Sequence, residues 1–342
     1  MAYTTIDKPT DYFNTVTYTG NGSTQSITGV GFQPDWIWLK DRDNAYSHQL
    51  VDVVRGNTKY LNSNETASEG TASDRVTSFD SDGFSLGSYI GTNKSSSNVV
   101  SWNWKAGGTA SSNTDGSITS TVSANTTAGF SIGTYTGTGS NATIGHGLGA
   151  TPKLVICKRR DIAEYWVVQH ADLGSGQILY LQETGAASST GTWNNTDPTS
   201  TTFGVGTTNN INASGGTYVF YCFAEKKGYS KFGSYTGNGS TDGTFVYTGF
   251  KPAWVLIKNS STGNISWTLY DNKRPGYNED NAYLLPSSSD SELSDKDIDL
   301  LSNGFKPRTS NSALGTSGDT YIYMCFAEAP FVTSTGIPTT AR

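Results

Sequence analysis

The chain has 342 residues, of which 39 are Gly and 89 are Ser or Thr, and only 35% is hydrophobic. A net charge of -6 with a 12% aromatic share excludes a disordered chain, because aromatic rings supply core area that the aliphatic residues do not. No stretch approaches the ~20 apolar residues of a membrane helix, and the acidic balance argues against a general affinity for nucleic acid.

Residues 1–11 carry no charged-then-apolar signal pattern, so a soluble protein not exported by the usual route is expected. From residue 12 the chain repeats itself. Tyr18-Thr-Gly-Asn-Gly-Ser23 recurs as Tyr135-Thr-Gly-Thr-Gly-Ser140 and as Tyr235-Thr-Gly-Asn-Gly-Ser240. Each is followed by a Pro opening an apolar run that ends in Lys, at Pro34–Lys40, Pro152–Lys158 and Pro252–Lys258. A Phe in a turn-like setting comes next, at Phe84, Phe203 and Phe305. An aromatic strand closes each unit, around Trp102, Tyr221 and Met324. The copies are offset by 117 to 119 residues and then by 100 to 103 at these landmarks, so they share one register.

Short alternating runs separated by Gly-rich turns, with no helical periodicity, predict an all-β chain of three tandem antiparallel β-sandwich, jelly-roll-like domains. The boundaries fall at 12–106, 129–226 and 229–328, with an N-terminal segment at 1–11 and a C-terminal tail at 329–342. The Gly/Ser/Thr-rich stretch 107–128 reads as a linker, although alternation at 118, 120 and 122 would also suit one edge strand. Only Lys226-Lys-Gly228 separates the second and third units, which predicts a near-fixed angle between them.

Repetition also tests candidate chemistry, since a site can be compared with its sister positions. Asp80 and Asp82 resemble the start of a calcium loop but lack its downstream Glu, and their counterparts are turn residues. They are weak metal candidates, and no metal or other cofactor is expected. The acidic run Asp290, Glu292, Asp295, Asp297 and Asp299 has no counterpart, which suits a solvated loop better than an acid and base pair. His48 occupies the position of Trp166 and Trp267, while His146 and His170 lack ligand spacing, so a non-enzymatic protein is expected. Cys157, Cys222 and Cys325 are too few and too far apart for a disulfide framework and read as buried thiols made in a reducing cytoplasm. Trp36, Trp38, Trp102 and Trp104 alternate on two strands and could line one face as a glycan or partner contact; core packing is the competing reading.

The Tyr-Thr-Gly-Asn-Gly-Ser units, Phe250–Lys258, Tyr321–Glu328, Gly107–Asn125 and the closing Pro330–Arg342 resemble a repeat family in structural proteins of marine tailed bacteriophages. The resemblance covers nearly the whole chain and implies a lectin-like or concanavalin-like sandwich, without any catalytic residue to transfer. It implies a non-enzymatic virion surface protein, assembled in the host cytoplasm without a signal peptide. A capsid decoration or cement protein or a compact tail-associated adhesin is expected, with a glycan-binding receptor module of a tail fibre as the alternative. The partners so implied are other virion proteins and a host surface glycan, in a homo-oligomer or multi-copy assembly with no nucleic acid and no membrane.

Overall fold

The apolar run after each Pro forms a strand buried along its whole length: Trp36–Asp41, Leu154–Arg159 and Phe250–Asn259. Strands covered on one face alternate apolar and polar residues, whereas continuous burial means that both faces are covered. The computed structural model describes residues 2–274, 278 and 281–338; Met1 and residues 339–342, at the outer ends of the terminal segments, lie outside them. The chain is all-β, in several antiparallel sheets, and its helices are single turns such as Ile90–Asn93 and Asn209–Asn212.

Each repeat contributes a four-strand unit in one order. In the first it is Phe13–Thr19, Asn98–Trp104, Trp36–Asp41 and Gln49–Asp52. The second orders Phe130–Thr136, Thr217–Phe223, Leu154–Arg159 and Trp166–His170. The third orders Ser230–Thr236, Thr320–Pro330, Phe250–Asn259 and Thr268–Asp271. A smaller sheet lies over one face of each. In the first repeat Ile37, Leu39 and Val51 meet Val76, Phe84 and Leu86. In the others Phe203 packs with Val155 and Phe220, and Phe305 with Val255 and Tyr323.

The recurring Tyr-Thr-Gly motif fastens one end of this arrangement. Its Tyr hydroxyl donates to a backbone carbonyl far along the same repeat: Tyr18 to Thr92 at 2.7 Å, Tyr135 to Ile211 at 2.6 Å and Tyr235 to Leu314 at 2.9 Å. A Cβ on its first Gly, at 20, 137 or 237, would lie 2.2 to 2.4 Å from a carbonyl oxygen. Its second Gly, at 22, 139 or 239, has φ between +72° and +76°, a conformation side chains disfavour.

The other face of each four-strand unit turns toward the molecular centre, where one cluster gathers residues from all three repeats. Trp36, Trp104 and Phe13 meet Phe130, Tyr221 and Phe223 and also Trp254 and Phe326. Trp36 stacks on Tyr221 with ring centroids 4.4 Å apart, and Trp104 meets Trp254 edge-on at 5.6 Å. This cluster belongs to no single repeat, so the picture of cores contained within separate repeats accounts for only one layer.

The stretch 107–128 is not a loose connector. Ser111–Asn113 and Ser120–Asn125 are strands, and the latter pairs with Phe130–Thr136 from Ser120 opposite Tyr135 to Asn125 opposite Phe130. Ile118, Ser120 and Val122 are all buried, so a strand does form where the alternation suited one, but Ser111–Asn113 pairs with its outer side and takes the edge position. With these two strands on one side and Gln177–Tyr180 and Ser188–Ser189 on the other, the sheet of the second repeat has eight strands.

Candidate functional site

Trp36, Trp38, Trp102 and Trp104 do fall on one face, as their alternation requires, but each is at most 1% exposed. That face is the wall of the shared centre and no sugar ring can reach it. The proposed glycan platform at these four residues is therefore corrected to core packing. Only the polar edge of Trp102 is bonded to another repeat: its Nε1 donates to Asp271 Oδ2 at 2.8 Å.

Around this centre the same contacts recur at all three junctions between repeats. The backbone N–H of Glu69 donates to Arg160 O, that of Ala187 to Ser260 O, and that of Glu292 to Arg42 O, at 2.8 to 2.9 Å. Trp166 Nε1 donates to Asn62 O at 2.8 Å, Trp267 Nε1 to Tyr180 O at 3.0 Å, and His48 Nε2 lies 3.0 Å from Leu285 O. First touches second, second touches third, and third touches first, so the ring closes with threefold pseudosymmetry.

Two junctions carry matching buried ionic networks. Arg55 Nε meets Asp52 Oδ2 at 2.5 Å, and Glu69 bridges Arg55 to Arg160 of the next repeat. Arg274 Nε likewise meets Asp271 at 2.7 Å, and Glu292 bridges Arg274 to Arg42. Tyr221 donates to Asp52 as Trp102 does to Asp271. Burial opposes the charge on Asp271, but Arg274 and its donors hold its carboxyl below the usual range. At the remaining junction the equivalent positions are His170, Leu173 and Ala187, so the ionic set is replaced as a block.

The histidines are committed to structure. His48 Nδ1 accepts from Trp38 Nε1, His170 Nδ1 from the Asp172 N–H and His146 Nδ1 from the Leu148 N–H. Each Nε2 faces a backbone carbonyl, of Leu285, Tyr323 and Thr199 respectively. Burial lowers the pKa of all three, which favours neutral rings. Three members of the acidic run sit in structural pairs: Glu292 serves the junction, Asp299 meets Arg308 at 3.5 Å, and Asp295 accepts from Tyr283.

The calcium-like turn also has protein partners. Asp82 accepts the N–H groups of Gly29 and Gly31, which pull its pKa down, and Asp80 accepts from Ser78 and Ser85 at 2.7 Å each. Among the described residues no group of three or more His, Cys, Asp or Glu could hold a metal ion. Cys157, Cys222 and Cys325 are free and buried, and burial raises all three thiol pKa values. No helix among the described residues is long and apolar enough to cross a membrane.

Two surface features were not singled out by sequence reasoning. A shallow cleft of about 490 Å³ opens beside Asp35 and Lys105. Burial raises the Asp35 carboxyl pKa, against the Gly108 N–H and the Lys105 charge. Its sister positions are Lys153 and Ala253, so this is one isolated carboxylate rather than a repeated chemistry. The other feature is a pair of exposed rings, Phe245 and Tyr247, at positions where the sister repeats have small residues. Comparison of the aligned repeats carried that signal.

Fold and interior together define an all-β internal-repeat protein whose buried ionisable groups join its repeats around a common centre. The chain belongs to the DUF7483 family: the model for this domain of unknown function matches residues 8–330, nearly its full length. No curated protein matches the chain.

Proposed function

We propose that the protein is a non-enzymatic structural component of the outer surface of a tailed-bacteriophage virion, seated as a capsid decoration or cement protein or as a compact tail-associated adhesin. The observation that carries this reading is the closed ring of three like junctions, by which one chain makes a rigid body with threefold pseudosymmetry. Such a body is suited to a three-fold or quasi-three-fold position on a particle, where three similar faces meet three similar neighbours. The motif resemblance supports the same class, and the structural use of the buried His, Asp, Glu and Arg side chains agrees with a non-enzymatic role. In this reading each repeat is a jelly-roll-like sandwich, three in tandem, and the partners are other virion proteins in a multi-copy assembly. The alternative of a receptor module of a tail fibre loses its Trp36, Trp38, Trp102 and Trp104 platform to the core.

Cryo-electron microscopy of virions carrying the protein, with copy number from quantitative mass spectrometry, tests the reading. Density for the pseudo-threefold body on the capsid, at hundreds of copies, or at the tail, at a few dozen, is expected. Absence of the protein from purified particles refutes it.

A further inference from the structure

The edge strand Val246–Tyr247 places Val246 opposite Phe305, as Ile27 stands opposite Phe84 and Ile144 opposite Phe203. These three apolar residues point inward, so their neighbours in sequence point outward. At the outward positions the first repeat has Ser26 and Thr28 and the second has Thr143 and Gly145, whereas the third has Phe245 and Tyr247. The two rings are 44% and 54% exposed. Two sister copies fold without aromatic residues there, so the fold of a repeat does not require them.

Tyr3 brings a third ring to this place. Its hydroxyl donates to Gly249 O at 2.7 Å and lies 3.4 Å from the Tyr247 hydroxyl, while Lys227 Nζ stands 4.5 Å from its ring centroid. Tyr3 and Tyr247 line a cleft of about 310 Å³ whose remaining wall includes Ser230 and the Glu225–Lys231 ion pair, 3.0 Å across. Flat apolar rings are thus set beside a carboxylate, ammonium groups and hydroxyls.

We propose that Tyr3, Phe245 and Tyr247 form a saccharide-binding site. A sugar ring has an apolar C–H face that fits an aromatic plane and a hydroxyl rim that needs such donors and acceptors. Scale favours this occupant over a protein. Two half-exposed rings offer roughly 200 Å² of apolar surface, against about 800 Å² per partner in a stable protein interface. The cleft lies at the small end of the range of about 300 to 1,000 Å³ for small-molecule sites. The site goes beyond the particle assignment and does not rest on it.

The test compares the intact chain with the double variant Phe245→Ser and Tyr247→Thr on an array of neutral and uronic-acid-containing oligosaccharides. Both substitutions install the residues of the first repeat, so an unchanged melting temperature is expected, and it verifies that the variant is folded. The intact protein should bind a subset of the array, and the variant should lose at least tenfold in affinity for that subset. An intact protein that binds no saccharide, or a folded variant that binds as well as the parent, overturns the proposal. Location in the particle is measured separately, so either conclusion can fail alone.

Discussion

If the central cluster is shared, a single repeat removed from the chain should not fold as a monomer. Residues 12–106 taken alone would uncover the face that carries Trp36, Trp38, Trp102 and Trp104, all at most 1% exposed in the whole chain. The four indoles partly cover one another, Trp36 and Trp104 at 4.5 Å and Trp38 and Trp102 at 5.9 Å between centroids. Taking about half of ~200 Å² as newly exposed on each gives roughly 400 Å², or about 10 kcal/mol at ~25 cal/mol per Å². That equals much of the ~5 to 15 kcal/mol by which a whole domain is stable. Loss of Tyr221 from Asp52, and of Arg160 from Glu69, adds to the cost. The fragment should bind the dye ANS, lack sharp near-ultraviolet circular dichroism and show no cooperative melt, or else self-associate to rebuild the centre. A fragment that sediments as a monomer and melts cooperatively would refute the reasoning.

Two further predictions concern the buried charges. Asp271→His or Arg274→Leu alone strands an ionic partner and should cost about 3 to 5 kcal/mol, but the combination with Glu292→Ala and Arg42→Ser copies His170, Leu173, Ala187 and Ser260 of the uncharged junction and should cost less than either single change; denaturant melts decide, and a quadruple variant worse than both singles contradicts the block interpretation. The pH profile of thermal stability should fall below about pH 6.5, because His48, His146 and His170 have lowered folded pKa values and the unfolded chain then binds more protons. On the alkaline side Lys40, Lys158 and Lys258, each lowered to about 8 by burial, contribute stability as pH rises toward ~10.4, while the three raised thiols remove it above ~8.5. Their slopes oppose, so a near plateau is expected up to about pH 10, followed by a fall as tyrosines such as Tyr18, Tyr135 and Tyr235 ionise only in the unfolded chain; a melting temperature still climbing above pH 10 would contradict this.

Much of the local structure was legible from the residues. Turn chemistry and repetition located the strands, and the constant offsets aligned the copies so well that His48 could be assigned the packing place of Trp166 and Trp267. The Tyr-Thr-Gly motif was visible as a turn because a positive φ leaves a Gly signature. Less legible was the fate of 107–128, where Ser, Thr and Asn pair through their backbones and the side chains give only the weak alternation of Ile118, Ser120 and Val122. The exposed Phe245 and Tyr247 were readable only by contrast with the small residues at their sister positions.

The sequence by itself determined the all-β character, the threefold repetition and the identity of the buried strands, because these depend on periodicity and turn residues within short windows. Only the tertiary structure decided what covers the second face of each sheet. The continuous run Trp36-Ile-Trp-Leu39 says that both faces are buried, but not that Tyr221 and Trp254 lie across from it. Those contacts join residues more than 150 positions apart, and no local pattern encodes them. The same long range separates Trp102 from Asp271 and Arg42 from Glu292. An aromatic platform and an aromatic core share one alternation in sequence, and they differ only in whether another repeat closes over them.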